Sequence, residues 1–89
     1  MSKYKVEYDP HVLKKLAKLD ATARNRIKNW IETNLVDCED PRAHGHALHY
    51  NLREFWSYRV GGWRLIAKIE DDKLVIFLVD VDKREDAYR

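Results

Sequence analysis

Apolar and polar residues alternate along KYKVEY, residues 3 to 8: Tyr4, Val6 and Tyr8 fall on one side, Lys3, Lys5 and Glu7 on the other. A period of two predicts a half-buried strand. At Asp9-Pro10 the period changes. Aspartate is a good helix N-cap and proline a good first helical residue. Val12, Leu13, Leu16 and Leu19 then recur at helical spacing with lysines opposite, which predicts an amphipathic helix. Asp20 is placed to cap a second helix through Leu35, whose apolar stripe is Ala23, Ile27, Trp30, Ile31 and Leu35. So short a link predicts an antiparallel helical hairpin.

The second half has a different rhythm. Residues 37 to 47, DCEDPRAHGHA, are rich in turn formers and predict a loop, with a weak strand signal from His46 to Tyr50. Residues 54 to 60 and 63 to 70 predict two strands meeting at Gly61-Gly62, glycines able to supply the positive φ values of a tight hairpin. Asp71-Asp72 marks another turn. Residues 74 to 79 are apolar throughout, the pattern of a strand covered on both faces and therefore central. The closing KREDAYR reads as a short helical turn. The order β-α-α-β-β-β predicts an α+β fold, with the helical hairpin on one face of a mainly antiparallel sheet. A central last strand needs two neighbours, which places the first strand beside it.

The 89 residues suffice for one domain, 1–89, and a chain of this size buries only about 60–65% of its unfolded surface. Charged residues make up 36% and apolar ones 45%, yet the formal net charge is only +2. Total charge alone therefore does not announce a nucleic-acid partner; its distribution is more telling. From Arg42 to Lys68 there are five basic side chains (Arg42, Arg53, Arg59, Arg64, Lys68), three histidines and one acid, Glu54. The lone Cys38 excludes an internal disulfide and suits a reducing compartment. With no signal-peptide pattern and no apolar run of bilayer length, the expectation is a soluble cytoplasmic protein without membrane contact.

Strand parity assigns chemistry to the two sheet faces. Trp56, Tyr58 and Val60 share one face, Ser57 and Arg59 the other; in the next strand Trp63, Leu65, Ala67 and Ile69 oppose Arg64, Ile66 and Lys68. With the apolar faces against the helices, Arg59 and Arg64 emerge across the hairpin from each other on the bare face. Arg84, just past the last strand, can join them. Converging guanidiniums repel unless an anion sits between them, and arginine's planar fork meets phosphate oxygens in pairs. The alternative is salt bridging to nearby acids, for instance Arg84 with Asp80 or Glu85.

The run HGHALH offers His44, His46 and His49 as metal ligands with Cys38, although zinc motifs show tighter, paired spacing. A histidine beside the arginines could instead move protons near neutral pH. His44 and His11 fit as plain polar residues. Tyr88 could stack on a base, hydrogen-bond a phosphate or anchor the tail. Trp30 and Trp63 fit a core. The chain carries no Walker loop, catalytic carboxylate pair or serine elbow.

The pattern LxxNLxxFWSYRVGGWRLI, the apolar strand after it and the closing KREDAY resemble the RelE/ParE toxin superfamily of type II toxin–antitoxin systems. The resemblance covers nearly the whole chain and is carried by YRVGGWR at Tyr58 to Arg64 together with the Arg84 to Tyr88 tail. Its RelE branch comprises small toxins that enter the ribosomal A site, cut messenger RNA there and are silenced by a cognate antitoxin. The resemblance implies that Arg59 and Arg64 contact the scissile phosphate. It makes Arg84 an acid or charge stabiliser, and Tyr88 a residue that stacks on or positions substrate. His46 and His49 fall where relatives place an acid–base residue or another cation; His49 is the candidate for the proton work. His46, Arg53, Lys68 and Lys83 are expected to bind substrate. The implied chemistry needs no metal or other cofactor, because the ribose 2′-hydroxyl attacks its own phosphate.

Three departures bear on the general base. Ser57 stands where many relatives carry a second basic residue, Lys83 where several have a histidine, and the net charge is milder than usual for the family. The ParE branch shares the fold but inhibits DNA gyrase by binding alone, and its members generally lack the full set of Arg59, Arg64, Arg84 and Tyr88. A plain binding module, its basic face docked on an acidic antitoxin segment, is the remaining alternative.

Overall fold

In the computed structural model, residues 3–47 and 55–83 are described. Strand β1, Lys5–Tyr8, alternates exposed and half-buried positions as its sequence alternates. At Asp9 the extended backbone (φ −66°, ψ 140°) lets the carboxylate accept from the His11 amide at 2.8 Å. With Pro10 next, helix α1 starts there and runs Pro10–Lys18, burying Val12 and Leu16. Leu13, expected on the same stripe, is 52% exposed. Helix α2, Ala21–Asn34, buries Ile27 and Ile31. Asp20 occupies its N-cap with extended backbone, but the side chain makes no capping hydrogen bond. Beyond α2 the chain turns back on β1. Asp37 adopts a positive φ of 60°, its amide donates to the Tyr4 carbonyl at 3.0 Å, and the Tyr4 amide donates to the Cys38 carbonyl at 2.9 Å.

The remaining strands are β2 (His46–Ala47), β3 (Phe55–Val60), β4 (Trp63–Glu70) and β5 (Val75–Lys83). The weak signal from His46 thus yields a two-residue strand within the described residues. The sheet order is β1-β5-β4-β3-β2, with β1 parallel to β5 and the other pairs antiparallel. The first strand lies beside the last, so β5 has a neighbour on each edge as expected, but it is not covered on both faces: Val75, Phe77 and Val79 on its other side are only half-buried. At the hairpin turn the expectation needs correcting. Only Gly61 has a positive φ, 58°; Gly62 does not. A positive φ at the first central position alone is the type II′ pattern, which still matches the sheet's twist.

Both helices lie on one face of the sheet. Val12, Leu16, Ile27, Ile31 and Leu35 meet Tyr58, Val60, Leu65, Ala67, Ile69, Ile76, Leu78 and Val81 in one core cluster. Burying these side chains from water is the main force holding the layers together, at about 25 cal/mol per Å² of apolar area. A register shift interrupts the β4–β5 ladder: Ala67 pairs with Leu78 but Ile66 pairs with Asp80, leaving Val79 as an extra residue. This bulge resets the alternation of β5. Ile76 and Leu78 point inward before it and Val81 after it, so Asp80 and Asp82 escape the core.

Where β1 ends, α1 takes over the flank of β5. The Asp9 amide donates to the Leu78 carbonyl at 3.0 Å, and α1 packs along the strand from there. Covering a strand edge with a helix removes a site for unwanted pairing. Among the described residues, no helix is long and apolar enough to cross a membrane.

Candidate functional site

The helix-free face of β3 and β4 carries the cations. Arg59 and Arg64 are directly opposed in the β3–β4 ladder, and Asp82 is the partner of Arg64 on its other side. One row across the sheet therefore reads Arg59, Arg64, Asp82. Two like charges placed opposite one another destabilise a ladder unless an acid or bound anion offsets them. Arg59 is exposed and Arg64 half-buried. The ion pairs among the described residues do not include Arg59.

The next row holds His46, Ser57, Ile66 and Asp80. His46 is exposed, one strand over and one row from Arg59, which puts it on the flank of the arginine pair. Ser57 is 1% exposed and brings no charge, so the face lacks a cation there. Lys68 pairs with Phe55 and is four residues from Arg64, about 13 Å along the strand. It can touch a neighbouring stretch of a bound polymer but not the same phosphate. Lys83 is not brought to this face. It pairs with Trp63, on the helix side, and holds its ammonium 5.9 Å from the indole centroid. Arg53, His49, Arg84 and Tyr88 lie outside the described residues.

Arg42, the first cation of the basic stretch, serves a different purpose. Its two terminal nitrogens bond the two oxygens of Asp71 at 2.9 and 3.1 Å, and its guanidinium stands 5.6 Å from the Trp56 ring centroid. Tyr4 donates to the same carboxylate at 2.7 Å. The Asp71 hydrogen bond, with burial second, pushes the Tyr4 phenol above its ordinary pKa. Tyr58, pushed up by burial, donates its hydroxyl to the Pro41 carbonyl at 2.6 Å, and the Trp56 indole donates to the His44 carbonyl. At Gly45 (φ 73°) a Cβ would lie 2.1 Å from the Ser57 carbonyl oxygen, so only glycine permits this approach. Together these interactions strap the 37 to 47 loop to the sheet and deliver His46 to β3. No group of three or more His, Cys, Asp or Glu among the described residues is arranged to hold a metal ion.

A cluster the sequence did not signal borders the arginines. Lys15 of α1 bonds Asp80 at 2.8 Å and Asp82 at 2.9 Å, and His11 stands 3.2 Å from Asp80. Hydrogen bonds to Asp80 and then Asp82 raise the Lys15 pKa, against burial. Burial works to raise Asp80, but hydrogen bonds from Lys15 and the Val81 amide outweigh it and hold the carboxyl below its ordinary value. These partners are 65 to 69 residues apart in sequence, beyond any local pattern.

Comparison with known proteins places this arrangement. Residues 6–88 match the family model described as "ParE toxin of type II toxin-antitoxin system, parDE". The chain is 31% identical over 87 residues to the mRNA interferase toxin RelE of Escherichia coli K12, covering 92% of this chain and 84% of that protein. Its fold superposes with a TM-score of 0.80 on the toxin–antitoxin complex RelBE2 from Mycobacterium tuberculosis, at 25% identity and 94% coverage of both chains. For a double arginine-to-alanine mutant of E. coli toxin RelE in the free state the TM-score is 0.74, at 27% identity, covering 97% of this chain and 88% of that one. The chain belongs to the RelE/ParE superfamily of toxins from type II toxin–antitoxin systems.

Proposed function

We propose that this toxin is an endoribonuclease that cuts messenger RNA on the ribosome, in the cytoplasm, and is silenced by a cognate antitoxin. One observation carries the reading: Arg59 and Arg64 stand side by side on the helix-free face of a chain 31% identical to a protein named as an mRNA interferase. The antitoxin partner is supported by the mycobacterial relative, solved as a toxin–antitoxin complex. The whole chain, 1–89, acts as one domain in this reading.

In the proposed reaction, the ribose 2′-oxygen forms a bond to the adjacent phosphorus and the bond to the 5′-oxygen breaks. The 2′-proton passes to a base and another proton is given to the departing 5′-oxygen. The products are a cyclic phosphate and a free 5′-hydroxyl, with no metal or other cofactor. Arg59 and Arg64 bind the non-bridging oxygens and offset the charge that grows on the phosphorane. Arg84 stabilises or protonates the leaving group, Tyr88 positions the nucleotide and His49 takes the proton. His46, Arg53 and Lys68 hold the flanking strand, whereas Lys83, turned to the helix side beside Trp63, takes no part. A pair of opposed arginines suits this task because their repulsion is relieved by the anion they bind.

The test is to induce the toxin in growing cells and map transcript 5′ ends, then repeat with purified protein on programmed ribosomes. Breaks at fixed positions within codons are expected. Arg64→Ala should lower single-turnover cleavage by about 10²–10³, the usual effect of removing one charge-stabilising donor. The second reading, a toxin that binds gyrase without nuclease chemistry, is favoured by the description of the matched family as ParE. Accumulation of broken DNA with intact transcripts would establish it and overturn the first.

A further inference from the structure

The β5 bulge sends two carboxylates to the side of the sheet where the arginines stand. Asp82 is the register partner of Arg64, and Asp80 that of Ile66 in the next row. Two anions one strand away from a phosphate-binding pair would oppose the binding of any polyanion. The structure answers with a single ammonium. Lys15, from α1, bridges both carboxylates, at 2.8 Å to Asp80 and 2.9 Å to Asp82.

We propose that Lys15 is a positioning residue for the arginine pair: by binding Asp80 and Asp82 from the helix side, it keeps the field over Arg59 and Arg64 positive. The inference rests on the RNA-cleaving reading and deepens it. No contact between Lys15 and RNA is required. The ammonium draws both carboxylates toward α1 and cancels one of their two charges, with His11 beside Asp80. Side-chain exposures of 35% for Lys15, 34% for Asp80 and 49% for Asp82 leave the cluster open enough for salt to screen it.

The experiment measures binding of a single-stranded RNA oligonucleotide to the purified protein by fluorescence anisotropy, at low and high salt, with cleavage on programmed ribosomes alongside. Lys15→Met should weaken binding by roughly three- to ten-fold at low salt, and the deficit should vanish near 1 M salt, where the Debye length falls to about 3 Å. Lys15→Arg should retain wild-type affinity. Adding Asp82→Asn to Lys15→Met should restore affinity to within about two-fold, since the charge left over is the one removed. Thermal melting of each variant separates this from a loss of folding: a merely structural lysine would lower melting temperature and affinity together, with no rescue by Asp82→Asn and no salt dependence. That pattern, or wild-type affinity in Lys15→Met, overturns the proposal. A wild-type protein that neither binds nor cuts RNA instead sinks the ribonuclease reading, and this inference with it.

Discussion

Three glycines, of which two have a positive φ, show how single residues set the site's geometry. Gly45 has φ 73° and faces the Ser57 backbone at a distance no Cβ could occupy, 2.1 Å. The obstruction is backbone rather than the tip of a flexible side chain, so substitution must move the loop off β3. Gly45→Ala is expected to cost roughly 1–3 kcal/mol, read as a lower urea midpoint. At Gly61 (φ 58°) the nearest atom to a built Cβ is the Arg26 Nη1 at 2.7 Å, a side-chain end that can swing away. Only the backbone penalty of a left-handed alanine remains, about 1–2 kcal/mol. Gly62 has nothing within 4 Å and no positive φ, so Gly62→Ala should be neutral or stabilise by about 0.4–1 kcal/mol through the unfolded chain. Equal effects at Gly61 and Gly62 would contradict the type II′ geometry.

Between elements, the decisive joint is α1 against β5. Its charged clasp of Lys15, Asp80 and Asp82 is half-exposed, so its contribution is modest, at most about 1 kcal/mol. The direction of its pH dependence follows from the shifts. Asp80 is depressed in the folded state, so its stabilisation is present above the unfolded carboxyl value, about 3.9, and is lost as pH falls through the folded one. Lys15 is raised, so its share is present below about 10.4 and is lost as pH climbs through the folded value. Denaturant midpoints measured from pH 2 to 6 should fall at the acid end, and Asp80→Asn should flatten that slope. An unchanged slope would mean that the clasp is not felt in the equilibrium.

For the molecule as a whole, the net charge of +2 is too small to drive nucleic-acid binding by itself; under the proposed function, local charge density must do it. Affinity for single-stranded RNA should therefore fall with salt. Removing Arg59 should reduce the slope of log K against log salt by about 0.7, the change expected when one fewer phosphate is neutralised on a single strand. Lys83→Ala, on the other face above Trp63, should leave that slope nearly unchanged. If the two substitutions were equivalent, the RNA would not be reading the helix-free face.

Much of this architecture follows from local periodicity. Alternation in β1, the Asp9-Pro10 start of α1, the Ile27 and Ile31 stripe of α2 and the parity that opposes Arg59 and Arg64 are all short-range patterns, and short-range sterics and burial enforce them. Even the pairing of β1 with β5 is implied by a strongly apolar run, which suits a strand with a neighbour on each edge. What no local pattern contained was decided by interactions between residues distant in the chain. Within the unbroken apolar run from 74 to 79, parity is unreadable, so only the ladder with β4 places the bulge at Val79 that brings Asp80 and Asp82 onto the face of the arginines. Arg42 looks like one more cation of a basic stretch until Asp71 and Trp56 come together around it. Lys15 looks like ordinary helix solvation until folding brings two carboxylates to it. Periodicity states which side of its own element a residue occupies; the partner waiting there is set by how the elements pack.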